Sequence, residues 1–84
     1  MNTITVRYFA ATREAIGCDA ETIHTAAATI GALRAELAAR SPRHAAALAP
    51  ERALRMALDQ EMCEASASLH DGAEAAFFPP VTGG

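Results

Sequence analysis

The sequence predicts an α+β fold: an open sheet of four or five strands with one principal helix laid across one face. Three observations carry this. Residues 3–9 alternate apolar and polar side chains with the period of two that a half-buried strand requires. Residues 29–40 space Ile30, Leu33 and Leu37 at helical intervals behind a threonine. Beyond residue 54 the chain breaks into short alternating segments divided by turn residues, and the last segment ends at Phe78.

In chain order, Thr3–Phe9 is the first strand, with Ile4, Val6 and Tyr8 on the core face and Phe9 on the opposite one. Ala10–Gly17 reads as a loop with room for one helical turn. Asp19–Thr25 resumes as a strand around Ile23, closing an antiparallel hairpin. Thr29 caps a helix running to about Arg40, with Ala38 filling beside its leucines and Glu36 paired with Arg40 four residues on. Gly31 is a poor helix former tolerated in the first turn. Ser41-Pro42 stops that helix, since a residue before proline is driven out of the α region. His44–Ala49 has the composition of a second, short helix. Leu54, Met56 and Leu58 alternate in a third strand, Asp59-Gln60 turns, and Glu61–Glu64 is a short fourth strand. Asp71-Gly72 marks another turn, and Glu74–Phe78 is the final strand. The ubiquitin-like β-grasp satisfies this order, with the final strand central and parallel to the first; the local pattern alone leaves that strand order open.

A chain of 84 residues makes one domain. Half of it is apolar, but only 5% is aromatic, so the core rests on modest side chains. The net charge of −3 and the lack of a basic cluster argue against a nucleic-acid partner. All seven cationic side chains are arginine, and there is no lysine. Cys18 and Cys63 stand alone, without metal-ligand spacing, and are expected as reduced thiols packed like small hydrophobes. No segment has the length and apolarity of a membrane span, and no signal pattern precedes the first strand, so a cytoplasmic protein without a membrane partner is expected.

The chain ends Phe77-Phe78-Pro79-Pro80-Val81-Thr82-Gly83-Gly84. The proline pair cannot donate to a sheet ladder and favours an extended course. Residues 1–78 are therefore expected as the folded domain and residues 79–84 as a tail reaching about 18–20 Å beyond it. The glycine tip is thin enough to thread a carboxylate into a narrow pocket on another protein.

Little else in the sequence carries chemistry. His24, His44 and His70 are scattered, no serine or cysteine has a base beside it, and no glycine-rich phosphate loop is present. A chain of this kind is not expected to act as an enzyme alone. The remaining reactive group is the carboxylate of Gly84, which is ionised at neutral pH and needs activation by a partner, most simply adenylation. The acidic second half (Asp59, Glu61, Glu64, Asp71 and Glu74) is either a solvated edge or the rim of a docking surface for a basic partner.

The stretch from Asp71 to Gly84 closely resembles the C-terminus of the small, sulfur-carrying subunits of molybdopterin synthase, a ubiquitin-like family. Tyr8-Phe9-Ala10 followed by Arg13-Glu14 and Gly17 resembles that family's N-terminal stretch, and Thr29-Ile30-Gly31-Ala32-Leu33 its helix start. Two positions depart from the pattern: Ala73, where the family often has an acid, and Asp59, where it often has asparagine. The resemblance implies a β-grasp fold and a three-step cycle. An E1-like activating enzyme adenylates Gly84 with ATP, and sulfur transfer then makes a thiocarboxylate. The tail finally enters the large synthase subunit and donates sulfur to cyclic pyranopterin monophosphate, in a heterotetramer. ATP, zinc and pterin belong to the partners, so the chain needs no cofactor or metal of its own. Two other readings share the Gly-Gly end: a sulfur carrier for another pathway such as thiamine synthesis, and a ubiquitin-like protein modifier.

Alternation also predicts a docking patch. Phe77 and Phe78 are adjacent, so in a strand they point to opposite faces. With first and last strands as neighbours, Phe78 falls beside Phe9, and Met62 joins them on the face away from the helix. The residues expected to touch partners are thus Phe9, Met62, Phe78, Pro79, Pro80, Val81, Thr82 and Gly83, with Gly84 carrying the chemistry.

Overall fold

The computed structural model describes residues 1–80. Its chain order is β1 (Asn2–Tyr8), α1 (Ala10–Ile16), β2 (Ala20–Thr25), α2 (Ile30–Ala38), α3 (Pro42–Leu48), β3 (Arg55–Leu58), β4 (Glu61–Cys63) and β5 (Glu74–Phe78). The strands form one mixed sheet in the order β2-β1-β5-β3-β4. Strand β1 pairs antiparallel with β2, Ile4 opposite Ile23, and parallel with β5, Tyr8 opposite Phe77. Strand β5 in turn pairs antiparallel with β3, and β3 with β4. The last strand therefore fills the gap between the first and third, and its C-terminal end emerges beside the end of β1.

Period-two alternation decides which face is covered. Ile4, Val6, Tyr8 and Phe77 are at most 1% exposed and pack with Ile30, Leu33 and Leu37 of α2. Ile16 of α1 and Ala47 and Leu48 of α3 join the same core, so two short helices flank the main one on this side of the sheet. Thr29 caps α2 as its sequence predicts: its side chain accepts from the Ala32 N–H at 3.1 Å. Ser41 does the same for α3, accepting from the His44 N–H, with Pro42 in the first turn where its missing donor costs nothing.

Four expectations need correction. Ala10–Ile16 is a two-turn helix, not a loop: an extended Phe9 leads in, Gly17 closes it in the left-handed region at φ +95°, and alanine-rich composition supplies the rest. Glu36 and Arg40 do not pair. Glu36 instead accepts the Thr25 hydroxyl at 2.7 Å, and Arg40 faces Glu21 at 3.7 Å, because helix α2 stops at Ala38 and Arg40 has left its surface. Cys18 is exposed in the turn before β2, whereas Cys63 is half-buried against the core. Gly31 is more than tolerated: its N–H donates to the Ala65 carbonyl at 2.9 Å, and a Cβ there would sit 2.8 Å from the Ala65 Cβ. Glycine lets α2 press onto the segment after β4.

The β3–β4 turn is set by Asp59 and Gln60, both with positive φ (51° and 69°), as a two-residue hairpin loop prefers. Asp59 also accepts the Glu74 N–H at 3.0 Å and contacts His70 Nε2 at 2.7 Å, which ties this turn to the start of β5.

Candidate functional site

Among the described residues no helix covers the outer face of the sheet. Register places Arg7 and Phe9 from the first strand, Ala76 and Phe78 from β5, Arg55 and Ala57 from β3, and Met62 from β4 on this side. Its large apolar residues are Phe9, 44% exposed, and Met62, 58% exposed, with Phe78 half-buried between strands. Phe77, one residue earlier, is fully buried on the other side. Adjacent phenylalanines thus serve opposite faces, as alternation predicts.

Phe9 and Phe78 meet edge to face, centroids 6.3 Å apart and planes at 86°, the arrangement that aromatic quadrupoles favour. They are fixed from behind by the Phe9 N–H donating to the Phe77 carbonyl at 3.3 Å. With Ala10 and Pro79 they line a shallow, almost wholly apolar hollow. Met62 lies one row away across β3, in a separate hollow with Leu54, Arg55, Met56, Cys63 and Glu64. The face therefore holds an aromatic pair at the chain's exit and a methionine at the sheet edge, separated by small alanines.

Pro79 and Pro80 are half-buried where the chain leaves the sheet, and Pro79 also borders a hollow shared with Ala11, Thr12, Ala15, Ala47, Arg52, Ala53 and Leu54. Val81, Thr82, Gly83 and Gly84, the remaining predicted tail residues, lie outside the described residues.

The acidic residues divide by role. Asp71 accepts the Thr3 N–H at 2.7 Å, Glu74 pairs with Arg7 at 3.4 Å, and Asp59 holds its turn. Only Glu61 and Glu64 stand exposed beside Met62 without such a contact among those described, and these are the acids available to a rim. Backbone donation from Glu74, then the His70 contact, hold the Asp59 carboxyl below the usual range; the Asp59 and Asp71 contacts raise His70. Among the described residues no group of three or more His, Cys, Asp or Glu side chains could hold a metal, and no helix is long and apolar enough to cross a membrane.

Sequence reasoning missed a polar cluster beneath the aromatic pair. Glu21 Oε2 accepts the Tyr8 hydroxyl at 2.7 Å and contacts His44 Nε2 at 2.6 Å, while Oε1 lies 3.7 Å from Arg40. Burial pushes the Glu21 carboxyl up, but its hydrogen bonds from His44 and Tyr8 and the nearby cations outweigh that and hold it below its ordinary value. Burial, then the bond to Glu21, drives the Tyr8 hydroxyl far above its ordinary value. Tyr8, Glu21 and His44 are far apart in sequence, and no local spacing announces their meeting.

A central parallel pairing of first and last strands, one main helix crossing behind them, and a chain end leaving beside an exposed aromatic pair define a ubiquitin-like β-grasp protein. Comparison with known proteins narrows the class: the chain belongs to the ThiS family, whose model matches residues 6–84. It is 44% identical over 81 residues to the molybdopterin synthase sulfur carrier subunit of Escherichia coli, covering 96% of this chain and 99% of that one. Identity to the corresponding subunit of Haemophilus influenzae is 41% over the same proportions of each chain. Among solved structures, the protein–protein complex of subunits 1 and 2 of the molybdopterin-converting factor from Helicobacter pylori contains a chain that superposes with a TM-score of 0.65 at 25% identity, covering 98% of this chain and 99% of that one.

Proposed function

We propose that this chain is the sulfur-carrier subunit of a molybdopterin synthase: a donor of sulfur, not a catalyst by itself. The observation that carries the reading is the likeness to two sulfur carrier subunits at 41–44% identity along almost the whole chain. The aromatic pair beside the chain exit supports it, since a carrier needs a docking surface at the root of whatever it delivers.

In this reading residues 1–78 are the folded domain and residues 79–84 the delivering tail. The Gly84 carboxylate attacks the α-phosphorus of ATP on an E1-like enzyme, releasing pyrophosphate and forming an acyl-adenylate. A sulfide equivalent then displaces AMP and leaves a thiocarboxylate. Phe9, Phe78 and Met62 seat the domain on the large synthase subunit, while Pro79, Pro80, Val81, Thr82 and Gly83 run into its site. There the thiocarboxylate sulfur attacks cyclic pyranopterin monophosphate to form a thioester, and water cleaves its acyl–sulfur bond, leaving the sulfur on the pterin and returning the Gly84 carboxylate. ATP and pterin are bound by the partners, and the cycle takes place in the cytoplasm.

The test is to incubate the chain with an activating enzyme, ATP and a sulfide donor, and weigh the intact protein. The expected product carries one sulfur in place of one oxygen at Gly84 and supports dithiolene formation when mixed with the large subunit and precursor. A chain that is adenylated but never accepts sulfur, or a thiocarboxylate that the large subunit ignores, would overturn the reading.

A further inference from the structure

We infer that Glu21 is a positioning residue for sulfur delivery: through Tyr8 it sets, from beneath the sheet, the place and tilt of the Phe9–Phe78 pair and of the chain exit. The inference rests on the sulfur-carrier reading above for its biological meaning, and on geometry for its substance.

Tyr8 and Phe77 are register partners in the parallel β1–β5 pair, and each precedes one ring of the docking pair. Their own rings lie 6.5 Å apart at 24° on the buried face, so the two strand ends carry one aromatic contact below and another above. The lower contact is tethered. The Tyr8 hydroxyl has one hydrogen bond, to Glu21 Oε2, and the Tyr8 N–H donates to the Asp19 carbonyl at 2.9 Å. The Tyr8 ring also meets His44 edge-on at 6.3 Å.

Glu21 is itself held by everything packed around it. His44 on α3 reaches it with Nε2, and the other ring nitrogen of His44 lies 2.7 Å from the Ser41 hydroxyl, which also caps α3. Arg40 approaches from the segment after α2. Cys18 and Asp19 border the cluster from the turn before β2. The His44 ring bridges the two, with Nε2 toward Glu21 and Nδ1 toward the Ser41 hydroxyl. A half-buried carboxylate in contact with β1, α3 and the α2–α3 segment thus locks the end of β1 against α3 and the segment that leads into it.

That lock lies at the end of the sheet where precision matters for delivery. A tail aimed into a pocket on another protein amplifies a small tilt at its root, and misplacement of about 1 Å can cost on the order of a hundredfold in rate. Elsewhere on the same strand, the buried Thr25 holds Glu36 and the Ala27 N–H at 3.0 Å, at the end of β2 away from the exit. This provides a control of similar polarity and burial.

The experiment compares Tyr8→Phe, Glu21→Gln and Thr25→Val in the complete chain. Two quantities are measured well below each unfolding midpoint: the single-turnover rate of sulfur transfer from the thiocarboxylated chain in the assembled synthase, and the NMR signals of the Phe9 and Phe78 rings in the free chain. Tyr8→Phe and Glu21→Gln are expected to shift both ring signals and slow transfer about tenfold or more, while Thr25→Val lowers the unfolding midpoint and leaves both readouts at wild-type values. Should Glu21→Gln fail to fold, Tyr8→Phe, which keeps the ring and removes only its hydroxyl, decides alone. Unmoved ring signals and wild-type transfer in Tyr8→Phe would overturn the inference. If the wild-type chain never becomes a thiocarboxylate, the carrier reading fails, and the ring signals still decide whether Glu21 positions the pair.

Discussion

Phe78 stands edge-on to Phe9 across the two central strands, 6.3 Å between ring centroids, on the face opposite its buried neighbour Phe77. In the proposed reading the partly exposed Phe78 ring anchors a partner, whereas Phe77, at zero exposure, anchors the fold. Phe78→Ala is expected to weaken binding to the large subunit by about 2 kcal/mol or more while the free domain loses much less. Phe77→Ala should instead destabilise the domain by about 3–5 kcal/mol. Calorimetric titration against the large subunit, paired with urea unfolding, separates them; a Phe78→Ala variant that unfolds easily but binds normally would reverse the assignment.

The proposed chemistry at Gly84 calls for a terminal carboxylate of fixed reach. Adding one residue after Gly84, or removing it, should abolish thiocarboxylate formation without changing the unfolding midpoint, because the core of the described residues lies between Ile4 and Phe77. Intact-mass spectrometry after the activation reaction reads the first quantity and thermal unfolding the second. Sulfur found on the extended chain would contradict this placement of the reactive group.

Gly31 poses a conflict of sign. Helix propensity alone says that alanine should stabilise α2 by up to about 1 kcal/mol. The added Cβ, however, would lie 2.8 Å from the Ala65 Cβ and 2.9 Å from its carbonyl oxygen, which belongs to backbone and cannot swing aside. Gly31→Ala is therefore expected to destabilise by about 1–3 kcal/mol. A more stable variant in urea would show that α2 does not press this closely on the segment after β4.

The His70–Asp59 contact gives a pH signature. His70 titrates above its ordinary 6.5, so its contribution is complete below 6.5 and fades as pH rises through the raised value. Asp59 titrates below its ordinary 3.8, so its contribution is complete above 3.8 and fades as pH falls through the lowered value. Both side chains are exposed, and the effect should shrink in salt. Asp59→Asn is expected to move the NMR titration midpoint of His70 back toward 6.5; an unchanged midpoint would mean that the pair does not persist in solution.

The parts of the fold legible in the sequence were those decided by local period and by caps. Ile4, Val6 and Tyr8 announced the buried face of β1, and Thr29 announced the start of α2. The Phe77-Phe78 step told which ring goes inward. Helix α1 was hidden because its lead-in residue makes no side-chain cap and Ala10 begins it with φ +52°, a value rare outside glycine. Charge pairs were the least legible. Glu36 and Arg40 have helical spacing, but each finds a partner from strand β2, because the helix ends before it can present them together. The Glu21 cluster joins residues from β1, β2, α3 and the α2–α3 segment, and only tertiary packing brings them within reach.

The central place of β5 also bears on how the protein is made. Synthesis runs from the N-terminus, so a nascent chain stopped before Glu74 owns the β1–β2 and β3–β4 hairpins but lacks the strand that joins them. Two isolated hairpins are marginal in water, and the pairing that unites them spans nearly the entire chain, a slow, non-local closure. The domain is completed only after its last strand has been translated, and a prematurely terminated product leaves the edges of β1 and β3 unpaired, a signal that chaperones and proteases can read.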